Sequence, residues 1–480
     1  MIPLIFLLNS ALHVTISSLL VSVLTDALKQ SFLQASVSTA IATAIGIPLG
    51  MVLTIYNGRG KNAIVSLFLV TYVMPGIIMA LGIISIFGYS SRFWEIIYGN
   101  VAYNSPLIAV LSYSTGSTTN MQEVYSARSL GASDGEIFRG FYLRNLLRGG
   151  LLGIILTFIL CFEGFSLPLI VGGPKYSTIE VLIYELKNIF PSYVSSPFSN
   201  ASFVGILQIL ILLLPLYLYV TVRTGTLRGV PTSQNPFSKY RLLSLIVLII
   251  YIFFIYFPFF SMFFKYPIWA VSFSQVQTKL QVPLYQLISN TVLFSFASTF
   301  ISLIVSAFLV IYAYGRFANL FLLLPLIFSP VTLALSFFLF YGSYLPNNIL
   351  VICIFAVSII PIIFRMLGQS ISTVPASERA SSIVLGDGPI SSFFRVQLPR
   401  IRVEVSTILS IAFITVIGQF ASIETVYTHS TETLTIGIYN LLTLRDVKGT
   451  YGLTEIFLIV IFISSYVINT LGRSGASGEA

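Results

Sequence analysis

Apolar runs of about twenty residues recur along almost the whole chain, which is the length an α-helix needs to cross a hydrocarbon layer of about 30 Å. Twelve can be drawn: 2–24, 31–56, 63–88, 94–118, 146–170 and 200–222, then 241–264, 286–314, 318–342, 347–370, 402–426 and 451–472. Only 9% of the 480 residues are charged, against roughly a quarter in soluble proteins. Such a chain cannot clothe a globular surface in charge. In lipid each crossing segment must satisfy its own backbone hydrogen bonds. The expected fold class is an all-α polytopic membrane protein with about twelve transmembrane helices. The opening stretch, MIPLIFLLNSALHVTISSLL, has no basic lead and no clear small-residue cleavage site, so it reads as a first span and not as a removed signal peptide.

The formal charge of +9 would suggest nucleic acid in a soluble domain. Here the basic residues sit in short loops between apolar runs, so they report orientation instead. With both termini in the cytoplasm, 17 of the 25 Lys and Arg fall on the inner side. The reading is a multi-pass protein of the cell membrane, with lipid and no nucleic acid as surroundings.

Several chemistries lack their residues. Cys161 and Cys353 both lie inside apolar runs, and His13 and His429 are isolated, so no disulfide framework or metal spacing is present. The four aspartates, Asp26, Asp134, Asp387 and Asp446, form no D-x-D pair. The one Gly-Lys pair, Gly60-Lys61, lacks the upstream Gly and the following Ser or Thr of a phosphate-binding loop. The chain is therefore not expected to be an enzyme, to bind a cofactor directly or to hydrolyse ATP itself.

Two polar islands interrupt the apolar sequence: Tyr125 to Arg144, YSARSLGASDGEIFRGFYLR, and Ala380 to Pro399, ASSIVLGDGPISSFFRVQLP. Gly131 and Gly386 lie 255 residues apart, as do Leu143 and Leu398, Pro75 and Pro330, Pro106 and Pro361, Thr178 and Thr433, and Tyr184 and Tyr439. One offset shared by so many landmarks marks an internal repeat. Six spans per copy put both copies the same way up, as two parallel six-helix repeats and not an inverted pair. Residues 223–240, RTGTLRGVPTSQNPFSKY, are rich in Gly, Pro, Ser and Thr and read as the linker between 1–222 and 241–480.

The islands resemble the cytoplasmic EAA loop of permease subunits of ATP-binding-cassette (ABC) importers, whose pattern is E-A-A-x3-G-x9-I-x-L-P between the fourth and fifth spans. The second copy supplies Gly386, Val396, Leu398 and Pro399 at those spacings, and the first supplies Ala127, Gly131, Phe141 and Leu143. The Glu of the pattern is Tyr125 in one copy and Ala380 in the other; Glu123 and Glu378 lie two positions earlier, on the opposite helix face. GGPKYSTIEVLIYEL (172–186) and TETLTIGIYNLL (431–442) resemble the outer segment of fused permeases for ferric iron, thiamine and related solutes.

That resemblance implies a fused permease subunit of the binding-protein-dependent, type I class. Two cytoplasmic ABC ATPase subunits would dock on the islands and supply the use of ATP, through Arg128, Leu130, Gly131, Ala132, Leu385, Gly386 and Asp387. An extracytoplasmic binding protein would deliver substrate. A docking loop needs a helix, a tight turn and a second helix, and Gly131 and Gly386 permit the positive φ of such a turn. Charge inside a span is a functional candidate, which singles out Glu163. With Phe165, Gln419 and Phe420, matched across the repeat, it is expected to line the central passage. The competing reading is a secondary transporter of two parallel six-span halves. Its usual signature is a basic loop after the second span, and NGRGKN (57–62) is basic. The longest inner polar loop falls instead between spans four and five of both copies.

Overall fold

Ser17 breaks the first apolar run. Its Oγ accepts the Leu20 amide at 3.1 Å and caps the N-terminus of α2 (Ser18–Ile55), leaving α1 (Ile2–Leu12) as a separate helix. The expected first span, 2–24, is thus not one helix. The Thr15 amide donates to Asn200 Oδ1 at 3.1 Å and holds the break open. At 11 residues, α1 is about 16 Å long, and α2 with 38 residues is about 57 Å.

The computed structural model describes residues 2–56, 58, 60–89, 92–117, 119, 121–188, 196–222, 240–313 and 328–474, and contains no strand among them. After α2 come α3 (Lys61–Val73), α4 (Gly76–Phe87), α5 (Phe93–Gly116), α6 (Met121–Ser129), α7 (Asp134–Ile137), α8 (Leu143–Phe162), α9 (Ile179–Asn188) and α10 (Pro197–Thr221). The second copy contains α11 (Arg241–Lys265), α12 (Phe273–Leu280), α13 (Leu284–Ala313), α14 (Pro330–Tyr341), α15 (Asn347–Ser372), α16 (Ala376–Val384), α17 (Pro389–Ser392), α18 (Leu398–Arg400), α19 (Arg402–Ile417), α20 (Phe420–Val426), α21 (Leu434–Thr443) and α22 (Val447–Ser474). The linker expected at 223–240 and the start of the expected span 318–342 lie outside the described residues, apart from Tyr240.

Among the described residues, seven helices are long and apolar enough to cross a membrane, or nine when two bent pairs each count as one span. The difference from twelve has identifiable sources. The first run is split, α5 is polar enough to fail on composition despite its 24 residues, and α14 is short. The polarity of α5 reflects its position: it packs between α2 and α8, where Asn100, Asn104, Ser105 and Ser112 are buried. Asn100 Nδ2 donates to Ser38 Oγ at 3.1 Å and to Gln34 Oε1 at 3.3 Å on α2. A helix that faces protein on most sides need not be apolar.

The α2–α5–α8 group and the α13–α15–α19 group are counterparts with different seams. In the first, glycines let backbones touch: a Cβ on Gly149 would lie 2.2 Å from the Leu111 carbonyl oxygen, and one on Gly46 2.8 Å from that of Ser105. In the second, three serines one turn apart form a ladder along α13. Ser298, Ser302 and Ser306 donate to the carbonyls of Ile352 (3.0 Å), Ala356 (2.8 Å) and Ile360 (3.4 Å) on α15.

Each copy's opening helix crosses to the other copy. α11 lies on α4, where a Cβ on Gly82 would meet Pro258 Cβ at 2.8 Å. Lys265 Nζ donates to the Ser85 carbonyl at 3.0 Å, and Tyr98 Oη to that of Phe254 at 3.0 Å. In return α1 packs on α14, with the Phe6 and Phe340 rings 4.5 Å apart.

Of the prolines inside the apolar runs, Pro75 sits at the 93° bend between α3 and α4, and Pro168 opens a wide turn after α8. Pro330 occupies the first turn of α14, where its missing N–H costs nothing. Pro106 and Pro361 lie inside continuous helices.

Candidate translocation pathway and docking surface

The two polar islands fold alike. α6 and α16 each end in a glycine of positive φ, +90° at Gly131 and +93° at Gly386. In the first, the Ala132 amide reaches back to the Ala127 carbonyl and the Gly131 amide to that of Arg128, both at 3.0 Å. In the second, Asp387 bonds to Ser382 and Gly386 to Ile383, again at 3.0 Å. These paired bonds form a Schellman motif, which absorbs the orphan carbonyls of a helix end and needs a left-handed residue. Leu130 and Leu385, just before the glycines, are 88% and 86% exposed. An apolar side chain held out so far on a rigid turn suits insertion into a partner's groove.

A second shared feature follows. At Phe138–Tyr142 and Phe393–Gln397 the helix widens, with the Leu143 amide bonding five residues back to Phe138 and the Leu398 amide to Phe393. Such π-turns are rare and cluster at functional sites, and these two stand 255 residues apart. They join each glycine turn to the helices that follow, α8 in one island and α18 with α19 in the other.

The expected polar role of Arg128 is modified. Its guanidinium is paired with Asp134 across the turn, so it braces the island internally. The second island is braced differently: Asp387 accepts from Arg395 at 3.2 Å and Ser391 at 2.6 Å, and Arg400 forms a two-pronged bond with Glu378 at 3.1 and 3.0 Å. Glu378 therefore ties α16 to α18, at the foot of α19.

The residues expected to line the passage lie where α8 and α19 break. α8 ends at Phe162 with Glu163 as its cap, and α19 ends at Ile417 before a 48° bend into α20. Gly418 meets the bend of the other copy, since a Cβ there would lie 2.8 Å from Pro75 Cγ. Phe165 and Phe420 face each other with ring centroids 5.5 Å apart. Tyr184 packs against Phe165 at 5.6 Å and Tyr439 against Phe420 at 5.1 Å. Four aromatic rings, two from each copy, thus form a plug on the repeat axis. Gln419 is held within its own copy, donating to Ser358 Oγ at 2.6 Å and accepting from Ser422 at 3.0 Å. Glu163, two residues before Phe165, has its Oε1 buried and unpartnered among the described residues.

Beside the plug lies a cavity of about 540 Å³ lined by Tyr184, Lys187, Asn347, Glu424, Tyr427 and His429. Tyr184 Oη donates to Glu424 Oε1 at 2.8 Å, while the buried Oε2 has no partner among the described residues. Lys187 Nζ bonds the Thr425 carbonyl and stands 4.3 Å over the Phe338 ring. Nearby, Glu432 Oε2 is likewise buried and unpartnered. Carboxylate oxygens beside aromatic faces make a setting for an organic cation. Sequence reasoning missed Glu424 and Lys187. Tyr184 and Tyr439 were visible only as landmarks of the repeat.

Glu180 was missed as well. Fully buried, it accepts from Gln208 Nε2 at 3.1 Å and from the Val331 amide at 3.0 Å. A carboxylate of one copy so caps the start of α14 in the other, where helix amides favour negative charge.

Residues 46–222 match the profile of the family described as binding-protein-dependent transport system inner membrane component. The chain is 27% identical over 137 residues to the spermidine/putrescine transport system permease protein PotC of Escherichia coli K12, covering 28% of this chain and 52% of that protein. The namesake permease of Haemophilus influenzae is 26% identical over 134 residues, again 52% of its length. The chain thus spans about half the length of these curated relatives. They are polyamine permeases, and the expected lean toward ferric iron or thiamine finds no support in them. Over residues 46–222 the chain is thus similar to the binding-protein-dependent transport system inner membrane components.

Proposed function

We propose that the chain is the fused permease subunit of an ABC importer, with 1–222 and 241–480 as its two permease halves joined by 223–240. It forms the substrate pathway in the cell membrane, with both termini and both islands on the cytoplasmic side. Two separate ATPase subunits dock on the islands through Leu130, Gly131, Ala132, Leu385, Gly386 and Asp387, with Arg128 bracing the first from within. An extracytoplasmic binding protein delivers substrate to the opposite face. Closure of the ATPase pair on ATP pushes the islands, and the π-turns pass that push to the fifth spans, whose broken ends carry the aromatic plug. Alternating access then consists of parting Phe165 from Phe420.

The observation that carries this reading is the docking turn made twice, with the same Schellman bonds, the same positive φ and the same projecting leucine. For substrate, the cavity beside the plug favours a small organic cation, and the polyamine permeases among the relatives point the same way. The test is co-purification with a co-expressed ABC ATPase subunit, followed by uptake of labelled putrescine into vesicles. Leu130→Asp with Leu385→Asp is expected to abolish ATPase association. Glu424→Gln is expected to leave association intact and lower uptake at least tenfold. Association that survives both leucine changes would remove the docking assignment, and unchanged uptake in Glu424→Gln would remove the cation assignment.

A further inference from the structure

The repeat departs from itself beneath α6 and α16. In the first copy the space between α6 and the foot of α8 is filled with apolar side chains: Val124, Ile137, Tyr142 and Leu146 are buried together. At an offset of 255, the second copy has Arg379 for Val124, Ser392 for Ile137 and Gln397 for Tyr142. Tyr113 of α5 is likewise replaced by Gly368 of α15. An apolar plug has been exchanged for an arginine, a hydroxyl, an amide and a glycine.

The exchange leaves a cavity of about 250 Å³, lined by Arg379, Ser372, Ser392, Gln397, Gly368 and Ile371. A space of roughly 10–15 Å³ already admits one water, so this one has room for a solute group. Arg379 Nε is buried and has no hydrogen-bond partner among the described residues. The nearby carboxylates are occupied elsewhere, Glu378 by Arg400 and Asp387 by Arg395. A buried guanidinium N–H left without an acceptor is costly, and Arg379 as a whole is half-buried at the cavity wall. Its planar fork matches the oxygens of an oxyanion, and the Gln397 amide can donate as well, while the Ser392 hydroxyl, bonded to Ser382 Oγ at 2.6 Å, keeps the wall polar.

We propose that the second docking island holds an anion site, built on Arg379 with Ser392 and Gln397, for a phosphate-bearing group. The source is free inorganic phosphate or the headgroup of an anionic phospholipid. The headgroup has a route of entry, because Val310 and Ile311 near the end of the apolar helix α13 complete the wall. The first island has no such site, since Val124 and Tyr142 fill it. The site shares no lining residue with the cavity at Tyr184 and Glu424.

The test uses the full chain in nanodiscs and two variants that copy residues of the first repeat, Arg379→Val and Ser392→Ile. The first island shows that both residue types fit this packing, and the elution profile checks folding. Inorganic phosphate is titrated in phosphatidylcholine nanodiscs, and phosphatidylglycerol retention is read by native mass spectrometry. Phosphate binding that falls at least tenfold in both variants supports a free-anion site. Retention of phosphatidylglycerol without phosphate binding, lost to the same extent, supports a headgroup site. Should Arg379→Val misfold, Ser392→Ile decides alone. Absence of both ligands overturns the proposal, as does binding unchanged by the variants or lost equally in Arg241→Ala, a distant surface control.

Discussion

Phe165 and Phe420 are the same residue of the repeat, and they meet, with ring centroids 5.5 Å apart. A parallel repeat brings equivalent positions face to face only on its own axis, so this contact marks that axis. Both rings are buried, at 4% and 2% exposure. Phe165→Ala and Phe420→Ala should each cost about 3–5 kcal/mol. The double variant should fall short of the sum by about 0.5–1.5 kcal/mol, the coupling of an aromatic pair. Thermal unfolding of the four proteins in detergent measures it, and strict additivity would mean the rings do not interact.

Gly131 and Gly386 separate conformation from crowding. A Cβ at either would touch nothing within 4 Å, so positive φ alone restricts the residue. Valine at either position should cost about 1–2 kcal/mol, and asparagine much less, because it tolerates the left-handed region. The check is ATPase association across Gly, Asn and Val. Equal loss with Asn and Val would point to side-chain contact with the partner instead of turn geometry.

Gly149 is the opposite case. Its missing Cβ makes room for the Leu111 carbonyl and Thr115 Oγ1, each 2.2 Å from where a Cβ would sit. Gly149→Ala should force α8 away from α5 and cost about 1–3 kcal/mol. Gly140→Ala, with open space around it, should be near neutral. Melting temperatures of the two alanine variants compare them directly.

Asp446 gives a pH dependence whose sign is fixed. Burial raises its pKa, but the Lys279 ammonium at 2.7 Å and the Gly449 amide at 3.0 Å outweigh burial and hold the carboxyl below its usual range. A carboxyl depressed on folding stabilises above its unfolded pKa of about 3.9, and that contribution is lost as pH falls through the folded value. Asp446→Asn should therefore be less stable than the parent near neutral pH, with the gap closing on acidification below about pH 4. Unfolding midpoints between neutral and acid pH read it, and a gap that widened on acidification would contradict the pairing.

What the sequence made legible was set by local or repeated chemistry. The glycine turns were foreseeable because a positive φ is a property of one residue, and Phe165 with Phe420 because a shared offset implies a shared axis. The split at Ser17 was hidden because the apolar run continues through it and because the Asn200 side chain that accepts the Thr15 amide lies 185 positions away. Glu424 and Lys187 were hidden because their roles arise where α9 and α20 converge, and no spacing along the chain reports that. The polarity of α5 reads as weakness in a span until its neighbours are known.

The exchange of opening helices has a mechanical consequence. Because α11 is bonded along the first copy and α1 lies on α14 of the second, there is no flat plane along which the copies could part. Each is held by an arm of the other, so the two should stay assembled even if the chain were cut between residues 222 and 240.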